Sequence, residues 1–355
     1  MLLEQLYEIS FEKINFLERK KSIEYNYTII KGSPKSGKSY LIYDHLSKYK
    51  TNEYLYIDFD DYKVNKDEII PYLQDFINKH NIIVLVLENL DFDITLPKIN
   101  SILITTKTNL YFDNFKILTL MPLDFEEFIL FDTKHQNILN SFNNYLKYGN
   151  ATDITEYNEN KKQKRNYEIC KLYCQNELEL EILFLLIKSM SEKKSIFQLF
   201  NQLKKTHKIS KDRFYNTIEQ FKNNNLIFFC KKYKQPKAVK KLYIFNHSLL
   251  DIVTYKKNFN NQFKNMVFLE LYNRFKDIYF LDNIDFYLPN ENIVILAIPF
   301  FNDLLWNKFA IILLEIISNY NIQKIDIITI SSEQIIYLEN MEVNIMPFYN
   351  WVLGQ

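Results

Sequence analysis

Residues 25–46 read YNYTIIKGSPKSGKSYLIYDHL, and this stretch decides the fold of the N-terminal part of the chain. The apolar run at 25–30 predicts a strand, and the segment 40–46 predicts a helix. Between them lies an octet of the form G-x-x-x-x-G-K-S, which holds two of the chain's 4 glycines: Gly32, Ser33, Pro34, Lys35, Ser36, Gly37, Lys38 and Ser39. Such a loop turns backbone N–H groups toward phosphates, and the following helix N-terminus adds a positive dipole end. The sequence therefore predicts a phosphate-binding P-loop.

Within this loop the two C-terminal residues have the most specific expected roles. We expect the Lys38 ammonium to reach the β- and γ-phosphates of ATP and the Ser39 hydroxyl to bind Mg²⁺. ATP and Mg²⁺ are thus the expected cofactors. The competing interpretation is a glycine turn that only joins a strand to a helix.

Short apolar runs separated by helical patterns continue along the chain, which is typical of a parallel sheet with crossover helices. Residues 53–59 (EYLYIDF) predict a second strand, and residues 81–87 (NIIVLVL) predict a buried strand that ends at Glu88. In P-loop ATPases an acidic pair at this place holds the metal and activates water. We expect Glu88 to serve the metal, which leaves Asn89 at the position of the catalytic base.

Asparagine cannot accept a proton from water, so hydrolysis of ATP is expected to be slow. Asp91 is a candidate substitute for the base. A shift of one residue would instead make Glu88 the base and put Leu87 at the metal position. A further strand at 101–106 (SILITT) ends in Thr105 and Thr106, which are candidates for a polar sensor of the γ-phosphate.

The overall composition excludes several classes of protein. With Lys+Arg 44 and Asp+Glu 43 the net charge is +1, so binding to nucleic acid or membrane needs a local basic patch. Cys170, Cys174 and Cys230 are too few for a disulfide framework and are expected to be reduced. Apolar runs are interrupted before they reach membrane-spanning length, and the first residues have no signal-peptide pattern. A cytoplasmic protein without membrane contact is expected.

Four stretches together resemble a family of prokaryotic ATPases that join an AAA+ domain to a winged helix and a C-terminal domain of restriction-endonuclease-like fold. They are the loop octet, YLYIDFDDYKV at 54–64, SILITTKT at 101–108 and LTLMPLDFEEFI at 118–129. The resemblance implies an α/β protein with three domains: a P-loop AAA+ parallel-sheet domain with a short lid at 1–165, a winged helix at 166–255, and a small endonuclease-like α/β domain at 256–355. Residues 150–166 are polar and are expected to form a linker or loop.

The middle segment, from residue 167 to about 255, predicts three helices followed by two strands at 226–233 and 239–245. Ser195 and Ser210 are expected helix caps. Double-stranded DNA is a candidate partner, with phosphate or groove contacts expected from Lys211, Arg213, Asn216, Lys234 and Lys237, and with Lys231, Lys232, Lys240 and Lys241 in the same hairpin. The alternative is that these lysines only cover an exposed face, or that the module contacts a protein.

The C-terminal segment predicts a helix near 263–275, strands near 278–281, 284–288, 292–298 and 325–330, and a long helix at 302–319. Glu270 and Asp285 match the first acidic positions of the endonuclease-like family. The positions of the remaining acid and lysine are Ala297, Ile298 and Pro299, so an inactive domain is expected.

The leading hypothesis is a slow ATPase that acts as a nucleotide-dependent switch on DNA or on a protein partner. A signalling-type P-loop interaction protein without DNA binding and an ATP-dependent nuclease are the alternatives. Oligomerisation stays open, and an arginine finger could come only from Arg19, Arg165, Arg213 or Arg274, the chain's four arginines.

Overall fold

A computed structural model describes residues 2–11, 18–108, 110–134, 137–154, 157–256 and 258–354. The described chain divides into two compact units. The first unit consists of Met1–Pro122 with Gln220–Leu226, and the second of Leu123–Glu219 with Ile227–Gln355.

The first unit contains, within its described residues, a five-stranded sheet in which every pairing is parallel. The strands are β1 (Tyr27–Lys31), β2 (Tyr54–Asp58), β3 (Val84–Glu88), β4 (Ser101–Thr105) and β5 (Lys116–Thr119). Their order is β2-β3-β4-β1-β5, so β4 lies between β1 and β3. The carboxyl ends of parallel strands meet at one edge, and this order brings the loop after β1 near the residues that end β3 and β4.

Helices cover both faces of this sheet. They are α1 (Leu2–Tyr7), α2 (Lys38–Leu46), α3 (Lys66–Ile69) and α4 (Leu73–His80), with a 3₁₀ turn at Ile70–Tyr72. Alternate residues of β2 enter two different cores, Leu55 and Ile57 on one face and Tyr54 and Tyr56 on the other. Burial on both faces explains why these strands are apolar almost without interruption.

The second unit contains an eight-stranded mixed sheet in its described part. The strands are β6 (Ile227–Lys232), β7 (Lys241–Ile244), β8 (Tyr279–Leu281), β9 (Ile284–Leu288), β10 (Ile293–Ala297), β11 (Lys324–Thr329), β12 (Gln334–Leu338) and β13 (Met341–Pro347). Their order is β12-β13-β11-β10-β9-β8-β6-β7. The β6–β7 hairpin joins the rest because Lys231 and Lys232 pair in parallel with Tyr279 and Phe280.

Helices make up most of the remaining chain. They are α5 (Phe125–Phe131), α6 (Ile138–Tyr148), α7 (Glu159–Lys171), α8 (Glu177–Lys188), α9 (Ile196–Lys204), α10 (Lys211–Asn223), α11 (Leu250–Val253), α12 (Phe259–Arg274), α13 (Asp303–Asn319) and α14 (Phe348–Leu353), with a 3₁₀ turn at His247–Leu249. In the described part of the chain, none of the helices has the length and apolarity needed to cross a bilayer.

Helix α7 corrects the expectation of a linker or loop at 150–166. The helix begins at Glu159, although its sequence is rich in lysine and glutamine. Its buried Lys162 donates a hydrogen bond from Nζ to the Asn144 Oδ1 atom at 2.8 Å. A polar helix of this kind has no apolar stripe in sequence, and its burial depends on partners far along the chain.

The three expected domains stay a prediction, and the two compact units divide the chain at other places. The boundary between units falls after Pro122 rather than at 165, because α5 and α6 pack within the second unit, where the rings of Phe125 and Phe348 lie 5.6 Å apart. The segments 166–255 and 256–355 fall mainly in that same unit, since β6 and β8 share one sheet.

Candidate functional site

The loop Gly32–Ser39 connects β1 to α2 and requires glycine at two places. A Cβ atom at Gly32 would lie 2.1 Å from the Leu120 carbonyl oxygen, so only glycine allows this close approach. Gly37 adopts φ 91° and is the N-cap of α2, to which it offers no side-chain acceptor. The first backbone N–H groups of α2 therefore donate no hydrogen bond to an N-cap side chain. They face the loop, together with the positive end of the helix dipole.

The loop encloses several polar groups. The Lys38 Nζ atom donates to the carbonyl oxygens of Gly32 and Ser33, both at 3.0 Å. Burial lowers the pKa of Lys38 to about 8, while the nearby Glu88 raises it. The hydroxyls of Ser33 and Ser36 are buried and have no hydrogen-bond partner in the described structure. Two unpartnered buried donors and a cation turned inward are what a phosphate-binding loop needs.

Glu88 brings the end of β3 to this loop. Its Oε1 atom accepts a hydrogen bond from the Ser39 hydroxyl, and its Oε2 atom accepts one from the Tyr56 hydroxyl. Burial raises the pKa of Glu88, and Asp58 raises it further, whereas the hydrogen bonds from Ser39 and Tyr56 lower it. Hydroxyl and carboxylate oxygens are ligands that Mg²⁺ prefers, so the predicted metal pair, Ser39 and Glu88, fits such an ion.

Asn89 and Thr105 meet at the same edge of the sheet. The Asn89 backbone has φ 54°, and its N–H donates to the Thr105 Oγ1 atom at 2.9 Å. The Asn89 side-chain amide donates from Nδ2 to the Asp58 Oδ1 atom at 2.8 Å. Asp58 was not among the residues predicted from sequence. In the sequence Asp58 is only the last residue of the strand that precedes β3. Its closeness to the site follows from the pairing of β2 with β3, which the sequence does not show.

Asp91 lies in a different set of contacts. Its Oδ1 atom accepts hydrogen bonds from the Thr106 hydroxyl at 3.1 Å and from the Lys107 N–H at 2.7 Å. Asp91 thus fixes the turn after β4, and within the described residues its side chain makes no hydrogen bond to Glu88 or Asn89.

The four arginines are each hydrogen-bonded within their own unit. Arg19 donates to the carbonyl oxygens of Ser36 and Met121 and so supports the loop. The other three arginines have partners elsewhere in the chain: Arg165 bonds Asp153, Arg213 bonds Asn176, and Arg274 bonds the Val352 carbonyl oxygen.

The residues predicted to contact DNA are exposed. This holds for Lys211, Arg213, Asn216, Lys234 and Lys237. Two lysines of the same hairpin form ion pairs within the protein, which corrects their expected contact with DNA phosphates. Lys232 pairs with Asp282, and the buried Lys241 pairs with Asp285 at 3.5 Å. These two ammonium groups neutralise carboxylates of their own unit.

Glu270 and Asp285 have separate surroundings. The buried Glu270 accepts from the Phe125 N–H at 2.8 Å and from the Tyr145 hydroxyl at 3.2 Å. Asp285 pairs with Lys264 at 2.7 Å and accepts from the Ala297 N–H at 3.1 Å. Among the described residues, no group of three or more His, Cys, Asp or Glu side chains is arranged to hold a metal ion.

Comparisons with known proteins give distant matches. No protein-family model matches the chain. An uncharacterized protein of Methanocaldococcus jannaschii is 24% identical over 296 residues, which is 69% of this chain and 66% of that protein, just under two thirds of its length. A solved structure, a Walker-type ATPase of Pyrococcus abyssi, is similar at a TM-score of 0.45 and 14% identity, over 65% of this chain and 91% of that one.

Proposed function

We propose that the first unit binds ATP with Mg²⁺ through the loop Gly32–Ser39, and that bound nucleotide acts as a switch for contact with DNA or with a protein partner. The observation that carries the proposal is the meeting of Lys38, Ser39 and Glu88 at the carboxyl end of a parallel sheet. In this proposal the Lys38 ammonium leaves the carbonyls of Gly32 and Ser33 and binds phosphate oxygens. Mg²⁺ neutralises charge on the β- and γ-phosphates when it is bound.

The hydroxyls of Ser33 and Ser36 further support a phosphate ligand. Both are buried without a partner in the described residues, and a buried hydroxyl without a hydrogen bond costs roughly 1–3 kcal/mol. Phosphate oxygens would offer acceptors to these donors. Thr105, hydrogen-bonded to the Asn89 N–H, is the proposed γ-phosphate sensor on β4.

The proposed second part of the function uses a winged helix at 166–255 and an endonuclease-like domain at 256–355 without nuclease activity. The order α9, α10, β6 and β7 supports the proposed winged helix. The antiparallel strands β8, β9 and β10, which lie between α12 and α13 in the chain, support the proposed endonuclease-like domain. The exposed Lys234 and Lys237 favour contact with DNA phosphates. The separate surroundings of Glu270 and Asp285 argue against a nuclease.

Titration of the protein with ATP in the presence of Mg²⁺ tests the nucleotide site. Replacement of Lys38 by alanine removes a charge-assisted contact worth roughly 1.5–3 kcal/mol, so we expect ATP affinity to fall at least about tenfold. Lys48→Ala is the matched control, since Lys48 is exposed beyond the end of α2. Equal affinities of wild type and Lys38→Ala in calorimetry would refute the site.

A further inference from the structure

Asp58 is a carboxylate at the edge of the sheet that the proposed nucleotide site leaves unused. It ends β2, and its Cα partner in the parallel β2–β3 pairing is Glu88. Its side chain is half-buried. The Oδ1 atom accepts from the Asn89 Nδ2 atom at 2.8 Å and from the Asp60 N–H at 3.0 Å. The Oδ2 atom has no hydrogen bond in the part of the chain that the structure describes.

Asn89 is held in the conformation that reaches Asp58. Its φ of 54° is in the left-handed region, which asparagine adopts more readily than most residues other than glycine. The hydrogen bond from its N–H to Thr105 fixes the backbone there, and the side-chain amide then points to Asp58.

The other carboxylates nearby already have hydrogen-bond partners. Both oxygens of Glu88 accept hydroxyl hydrogens, from Ser39 and Tyr56. The Asp91 carboxylate holds the turn after β4, and Asp60 pairs with Lys107 at 2.8 Å. Asp58 combines a place beside Glu88 with a half-buried side chain, one oxygen of which has no hydrogen bond in the described residues.

We propose that Asp58 is the general base of ATP hydrolysis at this site and that Asn89 is its positioning residue. The inference depends on the proposed binding of ATP. In the reaction, a lone pair of the water oxygen forms a bond to the γ-phosphorus, and the bond from that phosphorus to the β–γ bridging oxygen breaks with its electron pair leaving on ADP. The Oδ2 atom of Asp58 takes one water proton and later returns it to solvent, so the products are ADP and inorganic phosphate.

The arrangement explains how a chain with asparagine at position 89 retains a base. Asparagine cannot take a proton, but it can donate one hydrogen bond that orients a carboxylate on the neighbouring strand. The base thus comes from β2, and the residue after Glu88 supplies its orientation.

The experiment measures two quantities on the same protein, ATP affinity from a fluorescent-ATP titration and phosphate release under saturating ATP and Mg²⁺. Asp58→Asn keeps an acceptor oxygen for Asn89 and Asp60 but loses the base, so turnover is expected to fall at least about 100-fold with Kd changed less than about threefold. Asp58→Glu is expected to regain part of the turnover. Asp75→Asn, on the exposed face of α4, is the control and keeps wild-type values.

Each outcome distinguishes the two proposals. Failure of the wild-type protein to bind ATP overturns the nucleotide site itself, whereas binding without turnover overturns only the role of Asp58. Wild-type turnover in Asp58→Asn with unchanged affinity also overturns that role. A parallel loss of affinity and turnover in Asp58→Asn, with a lowered melting temperature, identifies Asp58 as structural and overturns the assignment as well.

Discussion

Glu270 is a carboxyl group enclosed in the second unit. Burial, together with the negative charge of Asp124, raises its pKa to about 8, although Arg274 and the hydrogen bonds from Phe125 and Tyr145 lower it. The native protein therefore keeps a proton on Glu270 at neutral pH, which the unfolded chain releases at its ordinary pKa of 4.5. The contribution of Glu270 to the free energy of unfolding is fully present below pH 4.5 and is lost as the pH rises toward 8.

Replacement of Glu270 by glutamine tests this protonation. Glutamine stays neutral at every pH, so Glu270→Gln is expected to lack the loss of about 1.4 kcal/mol per pH unit that wild type shows between pH 5.5 and 7.5. Denaturant unfolding at these two pH values measures the difference. Glu315→Gln, at an exposed position of α13, is the control. Parallel pH dependence of Glu270→Gln and wild type would contradict a buried, protonated Glu270.

Much of the proposed nucleotide site could be predicted from residues alone. The glycine spacing and the lysine and serine that follow it depend on local chemistry. In the structure the Ser39 hydroxyl donates a hydrogen bond to Glu88, and the role of this pair at a metal stays a prediction. Asp58 and Tyr56 could not be found this way, because their approach to Glu88 follows from the pairing of β2 with β3. The same is true of Arg19, whose contact with the Ser36 carbonyl spans 17 residues.

Helix α6 shows how one glycine can end an element. Its C-cap, Gly149, has φ 87°, and a Cβ atom there would lie 2.1 Å from the Asn246 Oδ1 atom. Asn246 cannot move freely, because its Oδ1 atom accepts from the Ser248 N–H at 2.9 Å. The end of α6 and the turn at 246–248 therefore fit together only without a side chain at 149.

We expect Gly149→Ala to lower the free energy of unfolding by at least about 2 kcal/mol, from the left-handed backbone and the steric conflict together. Thermal or denaturant unfolding of the purified protein measures it. Asn140→Ala, at an exposed position of the same helix, should change stability by less than about 0.5 kcal/mol. A Gly149→Ala protein as stable as wild type would show that this turn rearranges at little cost.

Elements with strong apolar runs were predicted well, and weaker ones were missed. β1 through β4 appear close to their expected positions because each is buried on both faces. The strand β5 at Lys116–Thr119 has exposed residues, and its sequence lacks the apolar run that predicts a buried strand. Helix α7 was predicted as a loop because its composition is polar and because the residues that it packs against lie elsewhere in the sequence.

The second unit contains a strand pairing that the sequence does not reveal. The hairpin at 227–244 has the sequence pattern of an independent wing, yet β6 also pairs with β8, which follows only after α11 and α12 in the chain. Such pairing depends on which edge of the sheet is open, and neighbouring residues do not reveal it. It also turns Lys232 and Lys241 toward Asp282 and Asp285.

The DNA proposal can be tested by its salt dependence. Because Lys232 and Lys241 form ion pairs within the protein, four hairpin lysines remain to contact phosphates. A plot of the logarithm of the DNA-binding constant against the logarithm of the salt concentration should then have a slope of roughly −3.6, whereas six lysines would give roughly −5.4. The four lysines are Lys231, Lys234, Lys237 and Lys240. The double variant Lys234→Ala/Lys237→Ala should reduce the slope by about 1.8, with Lys48→Ala unchanged. An unaltered slope in the double variant, or no binding at low salt, would remove duplex DNA as a partner of this hairpin.

The parallel pairing of β6 with β8 has a consequence for biosynthesis. The strands of the first sheet all lie within residues 27–119, so that sheet can close early as the chain leaves the ribosome. Strand β6 ends at Lys232, but its partner begins only at Tyr279, a delay of roughly 2–10 s at ordinary translation rates. During that interval the unpaired edge of β6 can form hydrogen bonds with a wrong strand.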